Sequence, residues 1–530
     1  MMTQQKSLKR AKPKLQRLIF GKGYRNIIGK KHKPEKPPSD DAGSAGAGGA
    51  DDSGNSDGCD SHSGGQSKDD KKKKKPGHGR MPHTVYQNCE EIEVKVGEYI
   101  PGDACPMLCG GLLGERKVSA VIRISGQNIA NVKRYLREVL RCNLCNYVIT
   151  AKLPIEAGKA KYDASFKAII ALQKYYVGMP FYRQENFQQL LGFPLPDSTQ
   201  WNLVEKLASY CYPAFNELKK LAANGRLIHN DDTTLKIQEV MKAIKSGAHD
   251  SNRTGMYTTG IIAEYEGHQI SLFLNGTQHA GENLSDILEK REPDKPDLIQ
   301  MCDASNNNIA KAFKTILCNC LSHGFRKFEE LVDFFPDECL FVMKLLSEVY
   351  RNDAETKDLT NEARLVYHQK HSKPLMDKLI DYMGSLINNR LVEPNSALGK
   401  ALKYMQNHWN KLTRFLEVAG APLDNNVVER ALKIAIRNRK AAFFYRSKYS
   451  ASIGGMLTSL MNTCHLAKAN AHHYLIALQQ HPEAVVNAPN EWLPWNYEGT
   501  LDALDSCASS MTGDANFEEP QPSLDHLAAA

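Results

Sequence analysis

The sequence has no long apolar run: across its 530 residues, no stretch approaches 18 uncharged apolar residues. A membrane-spanning helix needs about 20 such residues, so we expect neither a membrane span nor a membrane partner. The N-terminus is basic but contains no apolar core of the kind that marks a secretory signal peptide. These absences argue against a membrane protein and a secreted protein, and they favour a cytoplasmic location.

Cysteine is present at 13 positions, but without a signal peptide these residues do not indicate a disulfide scaffold. Their spacing indicates metal ligation together with buried thiols. Cys105 and Cys109 form one pair and Cys142 and Cys145 form a second, about 32 residues later, as in a zinc ribbon held by four thiolates. The first pair is CxxxC rather than the usual CxxC, and ordinary buried cysteines are the alternative.

The formal net charge of +8 is concentrated at one end of the chain. Residues 1–80 hold 19 Lys/Arg and 9 Asp/Glu, whereas the remaining 450 residues hold 49 and 51. Met1–Lys36 alone carries 12 basic residues and a single acid, Glu35. Such an arm predicts binding to a polyanion, most simply nucleic acid, because it neutralises phosphates and releases counterions. A solvated tail or a targeting segment is the alternative.

Composition and periodicity divide the chain into segments, and its length indicates several domains. We predict an α/β multidomain protein whose mixed-sheet core is interrupted by helices. In chain order the expected parts are a basic arm (1–36), a disordered low-complexity linker (37–80), a small zinc ribbon (81–155), a helical connector that could bind DNA (156–224), the first part of the core (225–326), an all-helical insertion (327–420), the second part of the core (421–480) and a C-terminal tail (481–530).

The core prediction rests on a period-two pattern that begins at Gly225. The pattern predicts a strand ending at Asp231, a hairpin across Glu264–His268, a helix in AGENLSDILEK and a strand ending at Asp303. Three antiparallel strands, a helix and a strand with a second aspartate are the order of a ribonuclease-H-like core. Glu429 lies on a predicted helix beyond the helical block, so that block interrupts the core.

Three carboxylates can converge on one point: Asp231, Asp303 and Glu429. Each aspartate is at the end of a predicted strand, and the glutamate lies on a predicted helix. Converging carboxylates repel one another unless cations lie among them, and hard oxygen ligands suit Mg²⁺ or Mn²⁺. A pair of such ions stabilises both oxygens of an in-line displacement at phosphorus. A single strand-end aspartate is more often a turn former, and since neighbours on a strand face opposite sides, only one of Asp231 and Asp232 can face the site.

Basic side chains around Glu429 predict phosphate contacts. The candidates are Arg326 and five cations on the predicted helix: Arg430, Lys433, Arg437, Arg439 and Lys440. A surface ion pair between Glu429 and Lys433, four residues apart, is the alternative. Cys320 and His323 have CxxH spacing, which can indicate zinc, but a packed cysteine and a hydrogen-bonded histidine are favoured because no second pair accompanies them.

Several longer stretches carry a resemblance to a known family. They are GHGRMP (77–82), RCNLC (141–145), GMPFYRQENFQQLLGFPLPDSTQW (178–201), HNDDTT (229–234), MCDASNNN (301–308), EPNSALGKA (393–401), GAPLDNNVVERALK (420–433) and WLPWNY (492–497). With these motifs the chain resembles the transposases of the IS66 family of bacterial insertion sequences over nearly its whole length.

The resemblance implies a DNA transposase with an acidic triad and a zinc-binding N-terminal domain. It maps the triad onto Asp231, Asp303 and Glu429, with Mg²⁺ or Mn²⁺ as the catalytic cofactor. The structural Zn²⁺ ligands map onto Cys105, Cys109, Cys142 and Cys145.

The implied activity is cleavage at the ends of an insertion sequence, followed by attack of the freed 3′-hydroxyl on target DNA. The implied partners are those two DNAs, a second copy of the chain or more on the DNA, and accessory proteins encoded by the same element. We then expect a bacterial protein that is nucleoid-associated when bound to DNA. A structure-selective nuclease on the same core and an inactive DNA-binding regulator are the alternatives.

Overall fold

The computed structural model describes residues 100–510 except 105, 107–108, 114–128, 142, 144–147, 194 and 249–252, and except the side chains of 507–510. The predicted basic arm and linker, and three of the four predicted zinc cysteines, therefore lie outside the described residues. The chain divides into two compact units, and the larger contains everything from Ile129 onward. In the smaller unit the described residues include an antiparallel bridge between Ala104 and Leu112.

The larger unit is a mixed α/β structure. Its strands are β1 (Val139–Arg141), β2 (Val148–Thr150), β3 (Leu227–Thr234), β4 (Tyr257–Tyr265), β5 (His268–Gly276), β6 (Ile299–Cys302) and β7 (Ile316–Asn319). Its helices are α1 (Ala164–Ala171), α2 (Phe181–Leu190), α3 (Asp197–Ala223), α4 (Gln238–Ser246), α5 (Ala280–Leu288), α6 (Leu321–Leu331), α7 (Pro336–Glu355), α8 (Asn361–His371), α9 (Lys373–Asn388), α10 (Ala397–Leu412), α11 (Asn426–Ala442), α12 (Lys448–Ala467), α13 (Ala471–Gln480), α14 (Pro482–Asn487) and α15 (Tyr497–Ser510). A π-helical segment, Leu172–Val177, follows α1 directly.

Five strands form one sheet in the order β5-β4-β3-β6-β7. The first three strands along the chain, β3, β4 and β5, pair antiparallel, whereas β6 and β7 run parallel to β3. The predicted hairpin is confirmed, and its turn places Glu266 and Gly267 at φ values of 47° and 81°. Positive φ at both turn residues matches the twist of a two-residue hairpin. The first predicted strand is longer than expected, since β3 continues three residues beyond Asp231.

Successive residues of β3 face opposite sides of the sheet. Ile228 belongs to a core shared with α3, α5 and α12, whereas Leu227 belongs to a second core shared with the helical block α6–α10. The helices before the sheet are thus part of the first core, in which α1 and α3 pack against α13. The sheet therefore separates two apolar cores, with the residues of the predicted site at one end of its central strands.

The edge strand β5 is covered by α12 rather than left open. Ser459 and Thr463, one helical turn apart on α12, accept hydrogen bonds from the backbone N–H groups of Phe273 (2.7 Å) and Ser271 (3.1 Å). Gly455 permits this approach, since a Cβ there would lie 2.4 Å from the Phe273 carbonyl oxygen. Hydroxyl groups on one helix face thus replace the missing neighbour strand and protect the edge from further pairing.

The C-terminal segment differs from the expected tail. Helices α14 and α15 follow α13, and Val485, Trp492, Leu493 and Tyr497 are buried in the first core. The sequence predicts a tail here because the apolar residues have no helical period. The segment is nevertheless folded, because it packs on α3 and α13. Among the described helices, none is both long and apolar enough to cross a bilayer.

Candidate active site

Asp231 and Asp303 are brought together by two adjacent parallel strands. In the ladder between β3 and β6, His229 lies opposite Met301, so two residues further on the two aspartates lie side by side. The Asn308 amide Nδ2 donates to Asp303 Oδ1 at 2.6 Å and to Asp231 Oδ1 at 3.1 Å. The two carboxylate oxygens share one donor, so their separation cannot exceed the sum of these distances.

The electrostatics of Asp231 report this crowding. Burial, and after it the negative charge of Asp303, are the main causes that raise the pKa of Asp231 to about 7. Hydrogen bonds from the Asp232 backbone N–H and from Asn308 act in the opposite direction, and Glu429 adds a smaller increase. A carboxyl group whose pKa is raised by two other carboxylates lies in a site that favours a positive charge.

Asp232 points away from this cluster, as alternation along a strand requires. Its carboxylate contacts the His279 ring nitrogen Nδ1 at 2.9 Å, at the start of α5 on the other side of the sheet. The backbone N–H of Ala280 also donates to it, at 3.4 Å. The geometry therefore distinguishes the two neighbouring aspartates, which the sequence alone could not do.

Glu429 lies in the first turn of α11, on the same side of the sheet as Asp231. The Arg326 guanidinium on α6 donates to its Oε2 at 2.9 Å, and His323 Nε2 lies 3.9 Å from its Oε1. The pairing partner is thus Arg326 and not Lys433, the partner expected for a surface ion pair. Within the described part of the chain, Glu429 Oε1 and His323 Nδ1 are buried without a hydrogen-bond partner.

Asn425 fixes the start of α11 against β3. Its amide donates to the Asn230 carbonyl oxygen at 3.0 Å, and its side-chain oxygen lies 3.1 Å from His229 Nδ1. Burial lowers the pKa of His229 to about 4, so this histidine is neutral at pH 7 and its Nδ1–H can donate to Asn425. Asn425 itself is fully buried. The hydrogen bonds of Asn425 to β3 therefore fix how far Glu429 lies from the sheet.

Cys320, His323 and Glu429 place a sulfur, a nitrogen and an oxygen atom within 4.8 Å of one another. Among the described residues this is the one group of three His, Cys, Asp or Glu side chains at that spacing. The oxygens of Asp231, Asp303 and Glu429 are therefore not all at that spacing, and Glu429 is turned toward Arg326 and His323.

Cys320 has the environment of a packed thiol. Burial raises its pKa to about 12. The backbone N–H of Asn425 donates to its sulfur at 3.2 Å, and Ser322 Oγ lies 2.9 Å from it. A thiol with so high a pKa stays protonated near neutral pH, and metals bind the thiolate. The favoured sequence interpretation of Cys320 as a packed cysteine therefore agrees with its surroundings.

The predicted phosphate-binding cations fall into two groups. Four of them, at positions 430, 433, 437 and 440, are exposed and recur at intervals of three and four residues, so they form one stripe along α11. We call these four residues the cationic stripe. Arg439 instead donates to Thr233 Oγ1 at 3.3 Å and contacts Thr234 at the end of β3. Arg326 is paired with Glu429, and Arg437 also donates to the Tyr176 carbonyl oxygen.

Of the four predicted zinc ligands, Cys109 is exposed, and Cys105, Cys142 and Cys145 lie outside the described residues. The short ladder of β1 and β2 flanks the second pair in sequence, because β1 ends at Arg141 and β2 begins at Val148. The zinc site stays a prediction.

Two residues of the site are not identified by the sequence reasoning. Asn308 and Asn425 hold the carboxylates and the helix, yet each resembles an ordinary turn or helix-start asparagine in sequence. The available signal is that both lie in unusually polar motifs, DASNNN and LDNN, where buried apolar residues are adjacent. Buried amides of this kind are retained when every hydrogen bond has a partner.

Paired aspartates on adjacent strands, a glutamate on the helix above them and an exposed cationic helix are typical of enzymes that act on phosphodiesters. Comparison with known families agrees with that class: residues 159–453 match the family described as "Transposase IS66 family". This match covers more than half of the chain, and the chain belongs to the IS66 transposase family. Membership gives it a transposase function in broad terms, with DNA as the partner and divalent metal use implied.

The similar curated proteins come from Sinorhizobium fredii (strain NBRC 101917 / NGR234) and are themselves uncharacterised. Protein y4jD is 25% identical over 420 residues, which cover 74% of this chain and 78% of that protein. Protein y4hP is 23% identical over 390 residues, covering 68% and 67%. Protein y4qI is 22% identical over 345 residues, covering 62% of each. No solved structure matches the chain.

Proposed function

We propose that the protein cleaves the ends of an insertion sequence and joins the freed 3′-hydroxyl to target DNA by divalent-metal-dependent phosphoryl transfer. The observation that carries the proposal is the placement of Asp231 and Asp303 side by side on neighbouring parallel strands, bridged by Asn308. The strand order β5-β4-β3-β6-β7, with three antiparallel strands followed by two parallel ones, supports a ribonuclease-H-like core.

The donor set fits a hard divalent cation. Asp231, Asp303 and Glu429 would supply carboxylate oxygens, which Mg²⁺ and Mn²⁺ prefer. Burial and the negative charge of Asp303 both oppose the ionisation of Asp231, and a cation between the carboxylates would favour the ionised form. When bound, the ions would activate the attacking oxygen and stabilise the charge that develops on the phosphate.

The chain's own residues would position the DNA and the third carboxylate. Arg326 holds Glu429 by an ion pair while neither side chain is fully exposed, so it limits the positions that Glu429 can take. The cationic stripe on α11 begins next to Glu429 and would bind successive backbone phosphates. A strand entering along α11 would then present one phosphate to the carboxylates.

The two chemical steps use the same site. In the first, water attacks the phosphodiester at the element's end, and the bond to the 3′ oxygen breaks to leave a 3′-hydroxyl. In the second, that hydroxyl attacks a phosphodiester of the target and displaces a target 3′ oxygen. Neither step needs a covalent bond to the protein, so no serine, tyrosine or cysteine nucleophile is required.

A strand-joining assay tests the proposal. The full chain would be incubated with Mg²⁺ or Mn²⁺, a target plasmid and a pre-cleaved duplex that carries the terminal inverted repeat flanking its coding sequence. We expect joined product from the natural chain and none from Asp303→Asn, which should still bind the end in a gel-shift assay. Cleavage without joining would support a structure-selective nuclease, and binding without either reaction would support a regulator. Full activity in Asp303→Asn would refute the site.

The zinc-binding domain and the multimeric state belong to the same proposal. Cys105, Cys109, Cys142 and Cys145 would hold one structural Zn²⁺ that supports a DNA-binding surface. Elemental analysis should give one zinc per chain, and replacement of Cys142 by Ser should remove it. Pairing of two element ends requires at least two copies on DNA, which sedimentation of the protein–DNA complex would show.

A further inference from the structure

The end of α11 carries two aromatic side chains that the proposed catalytic site does not use. Phe443 is 65% exposed and Phe444 is 49% exposed, side by side. Residues 430–450 contain seven Lys or Arg and no acid. Lys440 of the stripe precedes the two rings in sequence, and Arg446 and Lys448, which follow them, are also exposed. An exposed apolar pair in a strongly cationic segment is suited to a partner that offers both aromatic faces and negative charge.

The backbone at this point is strained and held firmly. Phe443 has φ 65° and ψ −43°, a conformation that is costly for a residue with a bulky side chain. Its N–H closes the last turn of α11 on the Arg439 carbonyl oxygen at 2.8 Å. Two residues later Tyr445 is tied to the segment after β3, donating to Lys236 O at 2.9 Å and accepting from Gln238 N at 2.8 Å. Both sides of the pair are anchored, so the rings project from a rigid corner.

We propose that Phe443 and Phe444 form an apolar wedge that inserts into the DNA bound along α11 and unstacks a base step. The inference rests on the proposed function, because it takes the DNA to follow the cationic stripe. Bases supply the aromatic faces and phosphates supply the charge that this corner matches. A protein partner would need acidic groups around an apolar contact, whereas nucleic acid provides both features at every nucleotide.

The position of the wedge follows from the helix geometry. Phe443 lies 14 positions after Glu429 in the chain, and a rise of about 1.5 Å per residue puts them roughly 20 Å apart along α11. Stacked base pairs rise about 3.4 Å each, so the wedge would act about six base pairs from the cut phosphate. Unstacking this base step would bend the duplex away from Phe443 and Phe444. The bend would keep the phosphate that is cut next to the three carboxylates.

The test is a scan with 2-aminopurine, a base whose fluorescence increases when it leaves the stack. Duplexes carrying the terminal inverted repeat would have the probe at each position in turn and be bound to the full chain in the Asp303→Asn background. We expect an increase confined to about six base pairs from the cleavage point. The increase should be lost in the double variant Phe443→Gly, Phe444→Ala, with end binding weakened roughly 5- to 100-fold.

Two controls separate the wedge from a structural role. Phe334→Ala removes a ring that is 77% exposed on the helical block and should change neither fluorescence nor binding. Phe443→Gly suits the positive φ, so the melting temperature should not fall, whereas a structural phenylalanine would lower it. A mismatch placed at the responding position should restore binding to the double variant, and should restore cleavage when the same two substitutions are made with Asp303 intact, because the duplex is already open there.

The outcomes distinguish the wedge from the proposed function. If the natural chain joins ends, but the fluorescence increase is the same with the double variant, the wedge proposal is wrong and the proposed function stands. A natural chain that neither cleaves nor joins DNA overturns the proposed function and the wedge with it. If the double variant changes the oligomeric mass of the protein without DNA, and leaves the 2-aminopurine fluorescence unchanged, the two rings form a contact between copies. The wedge proposal is then wrong.

Discussion

At the scale of single residues, the candidate site depends on one amide. Asn308 is 3% exposed, and its side-chain amide is the shared donor to Asp231 and Asp303, while its backbone carbonyl oxygen accepts from Asn230 (2.7 Å) and Gln300 (2.8 Å). It therefore fixes the separation of two like charges before any cation binds. Residues with this role commonly change metal affinity or activity by about 10- to 100-fold when they are removed.

We predict that Asn308→Ala lowers the rate of end cleavage about 10- to 100-fold at limiting Mg²⁺, with a smaller loss at high Mg²⁺. The measurement is a metal titration of single-turnover cleavage. Asn307→Ala is the matched control, because Asn307 is the exposed neighbour in the same motif. Equal rates for Asn308→Ala and the natural chain would show that the bridge has no role in the site.

A second residue-scale prediction concerns the pH dependence of stability. Burial and Asp303 raise the pKa of Asp231 to about 7 in the metal-free protein, well above about 3.9 in an unfolded chain. Between these values the native state binds the proton more tightly than the unfolded state. The stabilisation from this proton is complete below about pH 4 and is lost as the pH rises through about 7.

Asp231→Asn mimics the protonated carboxyl, so in EDTA at pH 8 it should exceed the natural chain in unfolding free energy by about 1–3 kcal/mol. The gain should shrink toward pH 5, and denaturant unfolding at both pH values measures it. Asp232→Asn should show no such gain, since its carboxylate pairs with His279 instead. A gain that grows as the pH falls would contradict the assigned environment.

At the scale of secondary-structure elements, the site requires α11 to lie close to the sheet. Gly260 on β4 pairs with Asp231 on β3 and therefore faces the same side. A Cβ at Gly260 would lie 2.8 Å from Leu432 Cδ2 and 3.2 Å from Val428 Cγ2, both on α11. The missing side chain thus allows the helix that carries Glu429 to pack against the two central strands.

Gly260→Ala should displace α11, lower the unfolding free energy by about 1–3 kcal/mol and reduce cleavage. Gly276→Ala is the control, because a Cβ there would meet nothing within 4 Å. The double variant Gly260→Ala, Leu432→Ala should recover part of the lost activity, since the smaller partner makes room. Thermal unfolding and single-turnover cleavage report the two effects, and an additive double variant would argue against this contact.

An element is predictable from the sequence when the residues that determine it lie close together in the chain. The hairpin of β4 and β5 and the helix α11 that carries Glu429 are predictable, because the turn residues and the helical period each lie within a short segment. The end of β3 is not, because Thr233 and Thr234 extend the strand only by pairing with Thr258 and Tyr257. The roles of Asn308 and Asn425 depend on partners 77 and 195 residues away, and no local pattern contains that information.

At the scale of the whole molecule, DNA binding should depend on the cationic stripe. Each neutralised phosphate contributes about −0.9 to the slope of log affinity against log salt concentration. We predict that the triple variant Arg430→Ala, Lys433→Ala, Lys440→Ala reduces this slope by about 2–3 for an element-end duplex. The three side chains are exposed, so the fold should be unaffected.

Fluorescence anisotropy at several salt concentrations measures the slope, and circular dichroism checks the fold. Lys403→Ala serves as the control, because Lys403 is an exposed cation on α10 and is not part of the stripe. A slope that is unchanged in the triple variant, or equally reduced by Lys403→Ala, would place the DNA elsewhere.

The global architecture was harder to predict than the order of the strands. The helices before the sheet and the C-terminal segment look separate in sequence, yet Leu207, Tyr474 and Trp492 are buried in one core. In that core Tyr474 donates to the Trp492 carbonyl oxygen at 2.8 Å, and the His481 ring stacks on the Trp492 ring with the centroids 5.2 Å apart. These contacts join parts of the chain whose local patterns are unrelated, so only the folded structure reveals them.

The central claim is that Asp231, Asp303 and Glu429 act as one metal-holding set. Single-turnover cleavage of a labelled element-end duplex in Mg²⁺ and in Mn²⁺ tests it most directly, with Asp231→Asn, Asp303→Asn, Glu429→Gln and Asp232→Asn compared at equal DNA occupancy. We expect the first three variants to fall to background and Asp232→Asn to cleave. Near-normal cleavage by any of the first three, or background cleavage by Asp232→Asn alone, would contradict the account.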